Sequence, residues 1–236
     1  MNTPFTDAYN FDFLLAAMMG PNSMLVTEEL CSFLPLRPGL RVLDLGCGMG
    51  LSSILLAEKY GATVFAADLW ISPTDNYRRF KELGLEDRII PVSVDAAKGL
   101  PFAEEYFDLL ISVDSYHYFG TGEAMLPALL PCLKKGGWLG VAVPGLKREF
   151  PGGEFPAELK PFWQPDMNFH SVAWWRELWS KAEGVELGEF REMDSFRRAW
   201  DDWLKCDNPY AKGDIPMMRA EGGKYYNLVQ MTARRK

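Results

Sequence analysis

Histidine and cysteine are scarce in this chain, with two histidines and four cysteines among 236 residues. Cys31, Cys47, Cys132 and Cys206 are dispersed, without a Cys-x-x-Cys pair or a histidine at ligand spacing. That pattern argues against a disulfide framework and a zinc site, so no metal is expected. Reduced thiols and a cytoplasmic setting are the expectation. A basic surface is also missing: the net charge is −7 with no long run of one sign. Nucleic acid is therefore not expected as a partner, because phosphate binding draws on lysine and arginine. The Arg234-Arg235-Lys236 tail reads as a solvated C-terminus. Long apolar runs are lacking too. The stretch Phe11–Met19 is short, contains Asp12 and follows no basic segment, so neither a signal peptide nor a membrane span is expected. No repeat, low-complexity segment or interdomain linker stands out.

What is present is apolar residue in quantity: 48% of the chain, enough for a large core. From Arg41 to Pro144, short apolar strands alternate with helical segments. Strands are expected at Arg41–Leu45, Ala62–Asp68, Ile89–Val94, Phe107–Val113 and Trp138–Val143. Helices are expected at Gly50–Tyr60, with Ile54, Leu55 and Leu56 in the core, around Asn76–Leu83, and at Glu123–Leu133, where Pro127 and Pro131 blur the limits. Strands joined by crossover helices imply a parallel sheet covered on both faces. Beyond Pro144, the segment Gly145–His170 is rich in proline, glycine and phenylalanine and reads as a binding loop. A helix over Ser171–Glu183, capped by Ser171, follows. Val185–Arg191 and Tyr225–Thr232 read as terminal strands, with an inserted helix at Asp194–Lys205. The expected fold is α/β, a doubly wound, mostly parallel seven-stranded sheet with a C-terminal antiparallel pair. One domain, 1–236, is expected: a helical cap over 1–38 packed on the sheet's carboxyl edge, a cofactor-binding core over 39–144, and lid, last helix, insertion and terminal strands over 145–236.

The decisive segment is Val42-Leu43-Asp44-Leu45-Gly46-Cys47-Gly48-Met49-Gly50, which leaves a strand and enters a helix. Glycines there allow a tight turn and close approach of a ligand, and the helix start adds outward-pointing amides. The spacing is Gly-x-Gly-x-Gly, not the dinucleotide Gly-x-Gly-x-x-Gly, because residue 51 is leucine. Asp44 can meet a cationic amino group but would oppose a pyrophosphate. Asp68 ends the second strand, where a carboxylate can accept from both ribose hydroxyls. A cofactor with a ribose and a cationic amino-acid end suits this set.

Through Val42–Gly50, Asp68, Asp95-Ala96, Phe107–Tyr118 and Leu133–Val143, the chain resembles the class I S-adenosylmethionine-dependent methyltransferases, over roughly residues 38–144. The resemblance is to the small-molecule, methyltransferase type 11-like group. It implies S-adenosylmethionine as cofactor, held at its methionine end by Gly46, Cys47, Gly48 and Gly50 and at its ribose by Asp68. Asp95 would contact the adenine amino group, with Leu69 and Ala96 flanking the ring. Gly20-Pro21-Asn22-Ser23 is similar to a Gly-Pro-Gly-Ser turn beside the cofactor in some members; an ordinary helix–helix turn is an equal alternative.

Methyl transfer needs an acceptor in line with the sulfonium methyl and water kept out. The segment after strand four, Asp114-Ser115-Tyr116-His117-Tyr118-Phe119, is the place for such groups. His117 could act as a general base, line the pocket or bind loop backbone. Asp114 matches an aspartate of some amine methyltransferases, of the phosphoethanolamine and sarcosine types. Aromatic rings from Tyr116, Tyr118 and Phe119, with Trp163, Trp174, Trp175 and Trp179, could complete a cation cage or simply be core. Tyr9 and His170 are further pocket candidates. The N-terminal helices, Gly145–His170 and Asp194–Gly223 are expected to close the pocket. Asp207-Asn208-Pro209-Tyr210 is similar to the Asn-Pro-Pro-Tyr motif of other methyltransferases but lacks the second proline, and it reads as a turn. The leading function is methyl transfer to a small molecule, an amine among the candidates, by a monomer or homodimer. A nicotinamide-cofactor oxidoreductase and a non-catalytic S-adenosylmethionine-binding module are the alternatives.

Overall fold

Strand residues alternate between two buried faces, and that alternation organises the molecule. The computed structural model describes residues 4–236. Strands β1 (Arg41–Leu45), β2 (Thr63–Asp68), β3 (Ile89–Ser93), β4 (Phe107–Val113) and β5 (Leu133–Leu146) run parallel in the order β3-β2-β1-β4-β5. A two-residue strand, β6 (His170–Ser171), lies beside the end of β5. Strand β7 (Val185–Glu192) forms the edge, and β8 (Tyr226–Arg235) inserts antiparallel between β5 and β7. The doubly wound sheet with its antiparallel terminal pair thus forms as expected, with eight strands in place of seven because of β6.

The helices are α1 (Phe11–Ala17), α2 (Ser23–Cys31), α3 (Leu51–Tyr60), α4 (Pro73–Glu82), α5 (Met125–Leu129), α6 (Val172–Ser180), α7 (Phe196–Trp203) and α8 (Pro209–Glu221). Their starts follow from side-chain caps. Asn10, Asn22, Ser72, Ser171 and Asn208 each accept a backbone N–H of the helix they precede. Helix α5 stops at Leu129 and tightens into a 3₁₀ turn over Leu130–Cys132, with Pro131 at its start. Helix α8 departs from the expected turn: Asn208 caps it, Pro209 occupies its first turn and Gly222 closes it in the left-handed conformation.

Val42 of β1 and Leu109 and Ile111 of β4 join one cluster with Leu30 of α2 and Ile54 of α3. Leu43, Leu45 and Leu110 join the opposite cluster with Trp175 and Trp179 of α6. Each such indole removes about 150–250 Å² from water. At roughly 25 cal/mol per Å² that is ~4–6 kcal/mol, an upper bound. Trp175 and Trp179 therefore hold α6 to the sheet around Tyr116 and belong to no cation cage. Helix α2 lies on the sheet face, not over its carboxyl edge: a Cβ on Gly140 of β5 would fall 2.7 Å from Leu34 Cδ1 and 3.5 Å from Leu30 Cδ1. The end of α1, the start of α2 and the turn between them reach the edge where β1 to β5 end.

Candidate active site

At that edge the β1–α3 loop is stapled to β2. The amides of Gly46 and Cys47 donate to Ala67 O at 2.7 and 3.1 Å. A Cβ on Gly46 would collide with Ser115 Oγ at 2.2 Å, so close packing demands glycine there. Gly48 is different. Its φ is +55° and the nearest atom to its Cβ would be Met19 Sδ at 3.1 Å, the end of a flexible side chain. Asn76 of α4 donates to Gly48 O at 2.9 Å. Ser112 and Ser115 both donate to Leu45 O, at 2.8 and 2.9 Å, fastening the end of β4 to the loop.

Asp68 holds the loop as much as it faces the cavity. Its Oδ2 accepts from Gly48 N at 2.8 Å, and its Oδ1 from Trp70 N and Ile71 N at 2.8 and 2.9 Å. Three backbone donors thus orient the carboxylate, and a carboxylate has room for about four. Asp44 is fully buried and accepts from Ser52 Oγ and Ser53 Oγ at 2.6 and 2.5 Å. Its Oδ1 has no partner, and burial raises its carboxyl to about 6 against the pull of the two serines. Asp95 accepts from Ala97 N at 3.1 Å and pairs with Lys98 at 3.0 Å, which lowers its pKa.

These groups surround one cavity of about 330 Å³. Its wall consists of Leu45–Met49 with Leu51 and Ser52, Asp68–Trp70, Val94–Ala97, Val113–Ser115 with Tyr118 and Phe119, and Ala17, Met19, Gly20 and Ser23 of the N-terminal turn. Asp114 sits in the left-handed region, φ +56°, a conformation that strains most side chains and that aspartate tolerates. Its carboxylate lies against Gly20, where a Cβ would come within 1.9 Å of Oδ2. Glycine in the Gly20-Pro21-Asn22-Ser23 turn is thus required by contact. Burial, with the charge of Asp214 in α8 added, pushes the Asp114 carboxyl well above the usual range.

Of the residues singled out from the sequence, Gly20, Gly46, Cys47, Gly48, Asp68, Leu69, Asp95, Ala96, Asp114, Tyr118 and Phe119 meet on this wall. Asp44 stands behind it, acting on the wall through Ser52, and Gly50 packs against the Phe80 ring. The remaining candidates are off the wall. His117 is 2% exposed, its Nδ1 has no partner, and burial lowers it to about 3, so it stays neutral and is a poor base. Tyr116 is core. The Tyr9 ring packs between Phe5 and Phe13 while its hydroxyl donates to Glu58. His170 and Trp174 stack on each other at 3.6 Å, and His170 Nδ1 contacts Glu149. Trp163 stacks on Phe155. Neither Gly145–His170 nor Asp194–Gly223 supplies a wall residue; the N-terminal turn alone of the three expected segments does so. Met19 and Trp70 were not anticipated. Both are exposed hydrophobics on the wall, 43% and 68%, and each adjoins a residue that was anticipated.

Residues 42–137 match the methyltransferase-domain family. The chain is 35% identical to the methyltransferase GfsG of Streptomyces halstedii over 50% of this chain and 42% of that one. It is 36% identical to the sarcosine/dimethylglycine N-methyltransferase of Halorhodospira halochloris over 43% of this chain and 37% of that one. The chain spans less than half the length of these curated relatives. Phosphoethanolamine N-methyltransferase 2 of Haemonchus contortus, solved with S-adenosyl-L-methionine, superposes with a TM-score of 0.75 at 17% identity, over 95% of this chain and 56% of that one. That superposition establishes the fold, and the family match lies over the glycine loop, Asp44, Asp68 and Asp95. Residues 42–137 carry the match to the methyltransferase-domain family, within a fold shared with that S-adenosyl-L-methionine complex.

Proposed function

We propose that this chain transfers a methyl group from S-adenosylmethionine to a small-molecule amine. The observation that carries the proposal is that the glycine loop, Asp68, Asp95 and Asp114 share one cavity of ligand size, within the ~300–1,000 Å³ common for such sites. The residues fit the cofactor part by part. Asp68, oriented by three amides, keeps about one acceptor site for a ribose hydroxyl. Asp95 offers acceptors for an exocyclic amine, with Leu69 and Ala96 as apolar flanks. Ser52, backed by Asp44, and the open amides at the start of α3 suit an amino-acid end. S-adenosylmethionine supplies, when bound, a methyl group on a positively charged sulfur.

The chain's own residues then hold the acceptor and manage its proton. Asp114 faces the cavity without a donor of its own, so an ammonium group satisfies it. Its raised carboxyl makes it a better proton acceptor than an ordinary aspartate. His117, neutral and off the wall, is not needed for that step. Met19, Trp70 and Tyr118 at the mouth exclude water once ligands are in place. The chain is placed in the cytoplasm, as a monomer or homodimer; four buried, unpaired thiols suit a reducing compartment. No helix among the described residues is long and apolar enough to cross a membrane. Titration calorimetry tests the reading: S-adenosylhomocysteine should bind and NAD should not. Binding of NAD alone would overturn it.

A further inference from the structure

A second cleft opens between the inserted helices α7 and α8, and none of its lining is shared with the cavity at the sheet edge. It encloses about 600 Å³, within the ~300–1,000 Å³ common for ligand sites. Helix α7 contributes Phe196, Arg197, Trp200, Asp201 and Leu204, and helix α8 contributes Ile215, Met218 and Arg219. Spacings of three and four residues put each set on one helix face. Lys147, just past β5, completes the lining beside Gly222 and Gly223.

The walls are braced through residues that do not line the cleft. Asn22 donates through Nδ2 to Asp202 and through its backbone to Ala199 O, both at 3.0 Å, which fixes α7 to the turn before α2. Trp203 Nε1 donates to Asp214 Oδ2 at 2.8 Å and ties α7 to α8. The cleft is therefore preformed.

Its polar groups are donors in excess. Neither Arg197 nor Arg219 has an ion-pair or hydrogen-bond partner among the described residues, and both are exposed. Lys147 donates one of its protons to Gly223 O at 2.6 Å. The Trp200 indole is 5% exposed and its Nε1 has no acceptor. Two carboxylates oppose these groups. Glu221 is turned into the backbone, where it accepts from the amides of Gly223, Tyr225 and Tyr226 at 2.6, 3.2 and 3.2 Å. Asp201 is the other, and it pairs with no cation among the described residues. Three cations against two carboxylates leave the cleft positive in a chain whose net charge is −7. Phe196, Leu204, Ile215 and Met218 give it apolar walls. A guanidinium fork matches a carboxylate through two parallel hydrogen bonds. A bare inorganic anion would leave the apolar walls wet, and an uncharged hydrocarbon would leave the arginines unpaired.

We propose that the α7–α8 cleft is a second binding site, for a small molecule that carries a carboxylate on an apolar body, with Arg197 and Arg219 holding the carboxylate.

Titration calorimetry of the full chain with octanoate and 4-phenylbutyrate tests it, with acetate lacking the apolar body and octanol lacking the charge. At least one of the two acids should bind once per chain, roughly tenfold or more tighter than acetate or octanol. Arg197→Gln and Arg219→Gln should each weaken that binding about tenfold, the low end for one charged hydrogen bond because both side chains reach solvent. Unfolding midpoints and affinity for S-adenosylhomocysteine should hold in both variants. Saturating S-adenosylhomocysteine should leave the acid's affinity unchanged, because the two sites share no residue. Binding of neither acid, octanol binding as tightly as octanoate, an unmoved Kd in either variant, or displacement of the acid by S-adenosylhomocysteine would each overturn the proposal.

Discussion

Asp68→Asn separates the two jobs of one carboxylate. In the folded chain Oδ2 accepts from Gly48 N and Oδ1 from Trp70 N and Ile71 N. Asparagine keeps one oxygen for Trp70 and Ile71 but turns an NH₂ toward the Gly48 amide, donor facing donor. A hydrogen bond to a charged group contributes about 1.5–3 kcal/mol, and Asp68 is only 8% exposed, so water replaces little of it. The variant should lose ~1–3 kcal/mol of stability and let Gly48 drift. The ribose contact is weakened by the same substitution, so affinity for S-adenosylhomocysteine should fall about ten- to a hundredfold beyond any effect of unfolding. Asp68→Ala removes all three hydrogen bonds and should be worse on both counts. Urea unfolding followed by tryptophan fluorescence gives the first quantity, and calorimetry on the folded variant gives the second. An Asp68→Asn protein as stable as wild type with an unchanged Kd would refute the reasoning.

Gly48→Val places a branched residue at φ +55°, at a strain of roughly 1–2 kcal/mol or more, and sets its side chain toward Met19 and the cavity. It should fold with reduced stability and lose S-adenosylhomocysteine binding; unchanged affinity in the folded variant would remove the glycine-loop assignment. His117→Phe should leave turnover and its pH profile within a few-fold of wild type, whereas removing a true general base costs about 10²–10⁴. Asp44 titrates near 6 in the folded chain against an ordinary value of about 3.9. Its raised pKa means the stability it contributes is full below about pH 4 and is lost as pH rises through 6, an order of roughly 3 kcal/mol. Unfolding midpoints of Asp44→Asn should be flatter over that window than those of wild type, and identical slopes would contradict the assignment.

The parallel core was legible because its strands are buried on both faces. β1 and β4 begin and end at the expected residues. Helix α8 was hidden by Pro216 and Gly213, which break the helical pattern even though Asn208-Pro209 and Gly222 mark its ends. Strand β5 runs from Leu133 to Leu146, beyond the expected Trp138–Val143, because Gly136, Gly137, Pro144 and Gly145 read as turn residues while β8 pairs with it as far as Leu146. In the site, Asp68, Asp95 and the glycines were legible because strand ends and loop order fix their positions. Tyr116, His117 and Tyr118 were not. They occupy one 3₁₀ turn that sends the first two side chains inward and the third to the cavity, and the residue types alone do not say which.

Release of S-adenosylhomocysteine from S-adenosylmethionine, measured by mass spectrometry with the purified chain and an amine library, tests the central claim most directly. At least one amine should gain the mass of one methyl group, with S-adenosylhomocysteine formed in equal amount and none formed by Asp68→Ala. A wild-type chain that binds S-adenosylhomocysteine yet methylates no member of the library, or one that turns over NAD instead, would contradict it.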